Sequence, residues 1–153
     1  MEREHTVKNS LEEYRAAYKD LDRIWSLFSK ACGLSDAEYW ALLMVWEGCT
    51  TQSQISEAMY MSKQTVHSAL KQLVKKGIVR LEIKETNMRE KQIVLTDTGR
   101  PFAQKYIGGM LQLEENVWAA LSEEEREQLI TLSKKYNSLL EANLQEYLDS
   151  ESI

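Results

Sequence analysis

Near Gly77 the apolar residues of this chain change their spacing. Upstream, Val66, Ala69, Leu70, Leu73 and Val74 recur every three or four positions, the period of one inward face of a helix. Downstream, Val79, Leu81 and Ile83 alternate with Arg80, Glu82 and Lys84, and residues 92–95 alternate again, the period of strands. The polar stretch Glu85-Thr86-Asn87-Met88-Arg89-Glu90 between them reads as the loop of a β-hairpin. A helix that runs straight into a two-stranded hairpin leaves few folds open.

The residues before it narrow the choice. Thr51-Gln52-Ser53-Gln54 is a capping box that opens a short helix over Ile55, Ala58 and Met59. Ser62 caps the next helix, which Gly77 stops. Two short helices across a tight polar turn, followed by a hairpin, form a winged helix-turn-helix, whose second helix enters a DNA major groove while the wing lies along the adjacent backbone. With the apolar face turned inward, that second helix shows Lys63, Gln64, Thr65, His67, Ser68, Lys71, Gln72 and Lys75, none of them acidic. Together with Ser62 they supply phosphate cations, hydroxyl donors and an amide able to read an adenine edge. The wing adds Asn87, Arg89 and Lys91, and an arginine there can enter a narrow minor groove. Thr51 and Gln52 open the first helix of the pair.

Charge follows the same division. The chain carries −5 overall, but residues 50–100 hold nine Lys+Arg against five Asp+Glu, so a basic middle stands between acidic flanks. A small polyanion-binding module carried on other helices fits that pattern.

The flanks read as long helices. Leu11, Tyr14, Tyr18, Leu21, Trp25, Phe28 and Cys32 follow one another at steps of three and four, a seam that wants a partner helix, and Gly33 ends it. Ser35-Asp36-Ala37-Glu38 reads as another capping box, opening a helix through Trp40, Leu43, Met44 and Trp46. Helical spacing returns after Thr96 through Phe102, Tyr106, Met110, Leu113, Val117 and Leu121, with Pro101 predicting an irregular first turn. Ser122-Glu123-Glu124-Glu125 caps a last helix through Leu129, Leu132, Tyr136, Leu140, Leu144 and Tyr147. The expected fold is therefore mainly α with a small β-hairpin wing: residues 35–99 form the winged helix-turn-helix, and residues 1–34 and 100–153 a helical dimerisation region. More apolar surface lies on Leu11, Tyr14, Leu132, Tyr136, Leu140 and Leu144 than one such module needs for its own core, so a homodimer is expected.

Other classes find little support. Two histidines, His5 and His67, and no nucleophile, phosphate-loop or zinc-protease pattern argue against an enzyme, and no cofactor or metal is implied. Cys32 and Cys49 lack metal spacing and read as free thiols, with a redox-sensing Cys32 as a rival reading. No apolar run suits a signal peptide or a membrane span, so a cytoplasmic protein without membrane contact is expected. A winged-helix protein-interaction module is the other rival; the basic recognition face and Arg89 speak against it.

The residues that carry these readings resemble the MarR family of bacterial transcription regulators. Residues 87–99, Asn-Met-Arg-Glu-Lys-Gln-Ile-Val-Leu-Thr-Asp-Thr-Gly, are similar to its wing signature, an acid, then Arg, then a strand ending Leu-Thr-x-x-Gly, with Asn87 in place of the acid. Residues 51–56 and 62–79 match its two helix-turn-helix blocks. The resemblance implies a homodimer with first and last helices intertwined, binding double-stranded DNA at an inverted repeat, commonly as a repressor. It also implies a small aromatic effector, for which Tyr18, Trp25, Trp40 and Met44 are the candidate lining, the alternative being that they are ordinary core.

Overall fold

The computed structural model describes residues 10–84 and 87–151, with side chains left undescribed at 84 and 87–89. The order is α1 (Leu11–Ala31), α2 (Asp36–Trp46), α3 (Gln52–Met59), α4 (Lys63–Lys75), β1 (Val79–Lys84), β2 (Asn87–Leu95), α5 (Gly99–Ala103), a π-helical turn (Gln104–Gly108), α6 (Gly109–Ala120) and α7 (Glu123–Glu151). The chain is thus mainly helical with one hairpin, as its periodicity predicts. Contacts divide it into two compact units, one ending at Met110 and one from Leu111 on.

The first unit is built around α2. Tyr39, Ala41 and Leu42 are almost fully buried, and Ile55 of α3, Val66 and Leu73 of α4, Val79 of β1, and Ala103 and Ile107 complete the core. Each large side chain so enclosed contributes roughly 1.5–3 kcal/mol of transfer free energy, which fixes the short helices α3 and α4 that could not persist alone. Along the same stretch of α2, Trp25 and Phe28 of α1 pack with Tyr39 and Trp40, ring centroids 5.5–6.4 Å apart. The seam of α1 therefore divides. Its last turns lie against α2, whereas Leu11, Tyr14, Tyr18 and Leu21 are exposed.

Capping follows the sequence with two exceptions. Reciprocal boxes close at Thr51/Gln54 and Ser122/Glu125, and a further one, not expected, closes at Ser10/Glu13. At Ser35 the hydroxyl accepts from the Glu38 amide, but the Glu38 side chain does not return to it. That carboxylate goes to Lys76 instead. An opposite charge reached across the fold outcompetes a local backbone N–H.

The hairpin is longer than expected, because β2 starts at Asn87 inside the stretch that reads as a loop. Register runs from Val79↔Leu95 to Lys84↔Asn87, with an irregularity between Ile83 and Lys84. Ladder hydrogen bonds are indifferent to side-chain polarity, so a wing that projects past the core extends without apolar alternation. For the same reason Ile83 is 63% exposed although its period matches buried Val79. Val74, expected inward on α4, is 40% exposed at the edge of the α4–wing groove.

Thr96 locks the base of the wing. Its N–H donates to the Ile78 carbonyl at 3.1 Å, its hydroxyl donates to the Gly77 carbonyl, and the same oxygen accepts from the Gly99 N–H at 2.8 Å. A Cβ on Gly99 would stand 1.8 Å from the Ile78 carbonyl oxygen, so only glycine fits there. This is the physical content of the Leu-Thr-x-x-Gly pattern. Pro101, third in α5, sits where no intrahelical donor is needed. The first turn is therefore regular, contrary to expectation, and the irregularity of this segment is the π-helical turn Gln104–Gly108 that follows.

In the second unit, α7 is 29 residues long and none of its residues is buried. Leu132, Leu140 and Leu144 are each more than half exposed. Among the described residues no helix is long and apolar enough to cross a membrane.

Candidate nucleic-acid interface

The site is assembled from α3, α4 and the wing. Thr51, itself buried, accepts from the Gln54 amide at 3.2 Å, while the Gln54 side chain accepts from the Thr50 and Thr51 amides. Gln52, the next residue, spans the turn: its side-chain N–H donates to the Lys63 carbonyl at 3.0 Å. The first turn of α3 is thereby fastened to the first residue of α4. Ser62 caps α4 by accepting from the Thr65 amide at 3.1 Å, and the two hydroxyls are 2.8 Å apart. Both hydroxyls keep acceptor capacity beyond these bonds.

Val66, Ala69, Leu70 and Leu73 anchor α4, and Lys63, Gln64, Thr65, His67, Ser68, Lys71, Gln72 and Lys75 all lie on its exposed side. The exposed face therefore has the composition expected from its period, cationic and polar without a carboxylate. Two grooves flank it. One, of about 570 Å³, runs between α3, α4 and the wing and brings Gln52, His67, Lys71 and Lys91 together, with Glu90 the acid among the described residues that line it. The other, of about 340 Å³, lies towards α2 and collects Gln64, Thr65, Ser68 and Gln72 near Glu38. Backbone positions 87 and 89 are on β2, but the side chains of Asn87 and Arg89 lie outside the described residues.

Three supports of this face were not legible as motifs. Ile93 of β2 donates its N–H to the Thr50 carbonyl at 2.8 Å, attaching the wing to the segment that leads into α3. Lys76 leaves the basic face altogether, pairing with buried Glu38 and donating to the Gly33 carbonyl at 3.2 Å. Asp36 accepts from the hydroxyls of Ser29 and Ser26, which hold its carboxyl below the usual range. The spacing of charged residues alone gives no sign of which pairs the fold will bring together.

The remaining candidates lie elsewhere. Trp25 and Trp40 meet edge to face at 5.6 Å, both half-buried, and Met44 is half-buried on α2. Tyr18 is exposed one helical stretch away on α1. None of these four lines either groove beside α4. The Cys32 thiol, donating to the Phe28 and Ser29 carbonyls at 3.4 and 3.3 Å, is pushed up by burial, as is Cys49. Raised thiols are less nucleophilic at neutral pH. Leu11, Tyr14, Leu132, Tyr136, Leu140 and Leu144 are all exposed in the single chain.

Helices α3 and α4 across a fastened turn, an outward polar surface and a hairpin tied at its base define a winged helix-turn-helix. Residues 33–89 match the model of the MarR family. The fold agrees over nearly the whole length. NMB1585, a MarR family regulator from Neisseria meningitidis, is similar with a TM-score of 0.71 at 21% identity over 90% of this chain and 98% of that one. The structure of the S. aureus MepR-DNA complex is similar at TM-score 0.67 and 22% identity, over 84% and 96%. Staphylococcus aureus MarR in complex with salicylate and kanamycin gives 0.66 at 17%, over 84% and 88%. No curated protein matches the sequence.

Proposed function

We propose that this chain is a sequence-specific, double-stranded-DNA-binding transcription regulator that acts as a homodimer on an inverted-repeat operator, as a repressor. The observation that carries the reading is the exposed face of α4. A 13-residue helix with four buried anchors turns Lys63, Gln64, Thr65, His67, Ser68 and Lys71 outward and no acid with them. In the major groove Gln64 is suited to an adenine edge, while Lys63 and Lys71 meet phosphates. Lys91 on the wing extends the cationic track along the backbone, and Arg89 is read from the sequence as a further wing contact. The similarity to a MepR-DNA complex supports the same use of the fold.

Dimerisation is supported by α1 and α7, which expose Leu11, Leu21, Leu132, Leu140 and Leu144 on amphipathic or leucine-rich faces that water disfavours. Residues 1–34 and 100–153 are read as the dimerisation region, and 35–99 as the DNA-binding region. A two-fold axis through it would set the two α4 helices about 34 Å apart, one DNA turn. A small aromatic effector remains part of the reading, with Tyr18, Trp25, Trp40 and Met44 as its contacts, supported by the half-exposed rings of Trp25 and Trp40, the half-exposed Met44 thioether and the exposed Tyr18.

Selection of bound duplexes from a random DNA pool tests the proposal. Recovery of a two-fold symmetric motif, bound with affinity that falls steeply as salt rises, is expected. Absence of any enriched motif together with salt-independent binding would overturn it in favour of a protein-interaction module.

A further inference from the structure

Tyr60 is a residue that neither packing nor backbone preference accounts for. It ends α3 at φ 51 and ψ 32, in the left-handed region, with its side chain 97% exposed. Among the described residues it is the one non-glycine at positive φ; the other three such positions are Gly33, Gly48 and Gly77. A bulky residue is disfavoured in that region, and glycine or asparagine would hold the same turn with less strain. Full exposure also denies the ring any gain from burial. A side chain placed against both preferences points to a use outside the folded chain.

We infer that Tyr60 is a contact to the sugar-phosphate backbone of duplex DNA where α4 enters the major groove, an inference that rests on the DNA-binding reading above. Its position favours this partner. Tyr60 stands two residues before the cap Ser62, and Lys63 and Gln64 follow on the exposed face. The exposed face of α4 that begins there holds Lys63, Lys71 and Lys75 and no acid, so the surroundings attract a polyanion. The turn is also held firmly, since Gln52 reaches the Lys63 carbonyl at 3.0 Å and the Tyr60 N–H donates back to the Ser56 carbonyl. A side chain on so fixed a base loses little freedom when it binds. A phenol suits a nucleic-acid backbone: the hydroxyl donates to a phosphate oxygen while the flat ring covers the deoxyribose. Such a contact positions the protein on the duplex without reading sequence.

The test separates strain from binding by using residues that accept left-handed backbone. Tyr60→Gly and Tyr60→Asn are compared with the unaltered protein in thermal melts and in fluorescence anisotropy, against a selected duplex and an unrelated duplex of equal length. Both variants are expected to melt about 2–4 °C higher and to bind both duplexes about five- to tenfold more weakly. Unchanged affinity in both variants would overturn the inference. So would a loss confined to Tyr60→Gly, which would trace the effect to a loosened turn, or a loss confined to the selected duplex, which would mean base reading. If the unaltered protein bound neither duplex, the DNA-binding reading itself would fail, a result distinct from these.

Discussion

The ammonium of Lys76, at the C-cap of α4, closes on the buried carboxylate of Glu38 in the first turn of α2 and donates to the Gly33 carbonyl as well. One side chain therefore joins the end of α4, the start of α2 and the turn between α1 and α2. That junction adds to the four apolar anchors that hold α4 in place.

Removing the cation leaves Glu38 enclosed with no counter-charge. Lys76→Ala should cost about 1–3 kcal/mol of stability, since a buried group stripped of its partner bears its full desolvation penalty. Glu38→Ala should cost less, because the half-exposed Lys76 can turn to water. Urea unfolding of both single variants and the double variant checks this. The double variant should lose less than the two single losses added together.

Gly99→Ala places a methyl group into the Ile78 carbonyl, and backbone on both sides prevents an easy retreat. A loss of about 3 kcal/mol is expected, at the upper end for an overpacked site. Thermal melting measures it, and amide exchange at Thr96 should quicken as its bond to Ile78 lengthens.

Asp36 gives stability a definite pH dependence. Its folded-state pKa is lowered, first by the Ser29 hydroxyl and then by Ser26. A depressed carboxyl contributes stability that is fully present above its unfolded value, about 3.9, and is lost as pH falls through the folded value. Asp36→Asn should therefore melt below the unaltered protein at pH 7, with the gap narrowing below about pH 4. Melting temperatures across pH 3–7 check the direction.

Leu140→Asp on α7 should shift the protein from dimer to monomer, because the exposed leucine face loses its reason to be covered. Sedimentation velocity at micromolar concentration reads the change. A monomer already present in the unaltered protein would remove the dimer from the proposal.

Much of the fold was legible because local rules and tertiary structure agree. Thr51, Ser62, Ser122, Gly77 and the alternation at Val79 each announce an element whose boundary depends on neighbours in sequence. The outward face of α4 was legible for the same reason, since four buried anchors fix which residues remain outside. What was not legible depends on distant partners. Glu38 has the spacing of a capping box, yet its carboxylate meets Lys76, 38 positions away. Val74 and Ile83 keep the period of the core but lie at edges where the core has ended. Tyr60 carries no signal of its left-handed backbone, because that conformation usually calls for glycine.

Gln64 tests the central claim most directly: that the exposed face of α4 reads base sequence in duplex DNA. Its side chain stands outward in the first turn of the helix, free of the cap that engages Ser62 and Thr65. Affinities of the unaltered protein and of Gln64→Ala are measured on the selected duplex and on a scrambled one at the same salt. A loss of about 1–3 kcal/mol on the selected duplex, with relaxed preference at one position per half-site and little change on the scrambled one, is predicted. Equal loss on both duplexes, or no loss on either, would contradict base reading by this face.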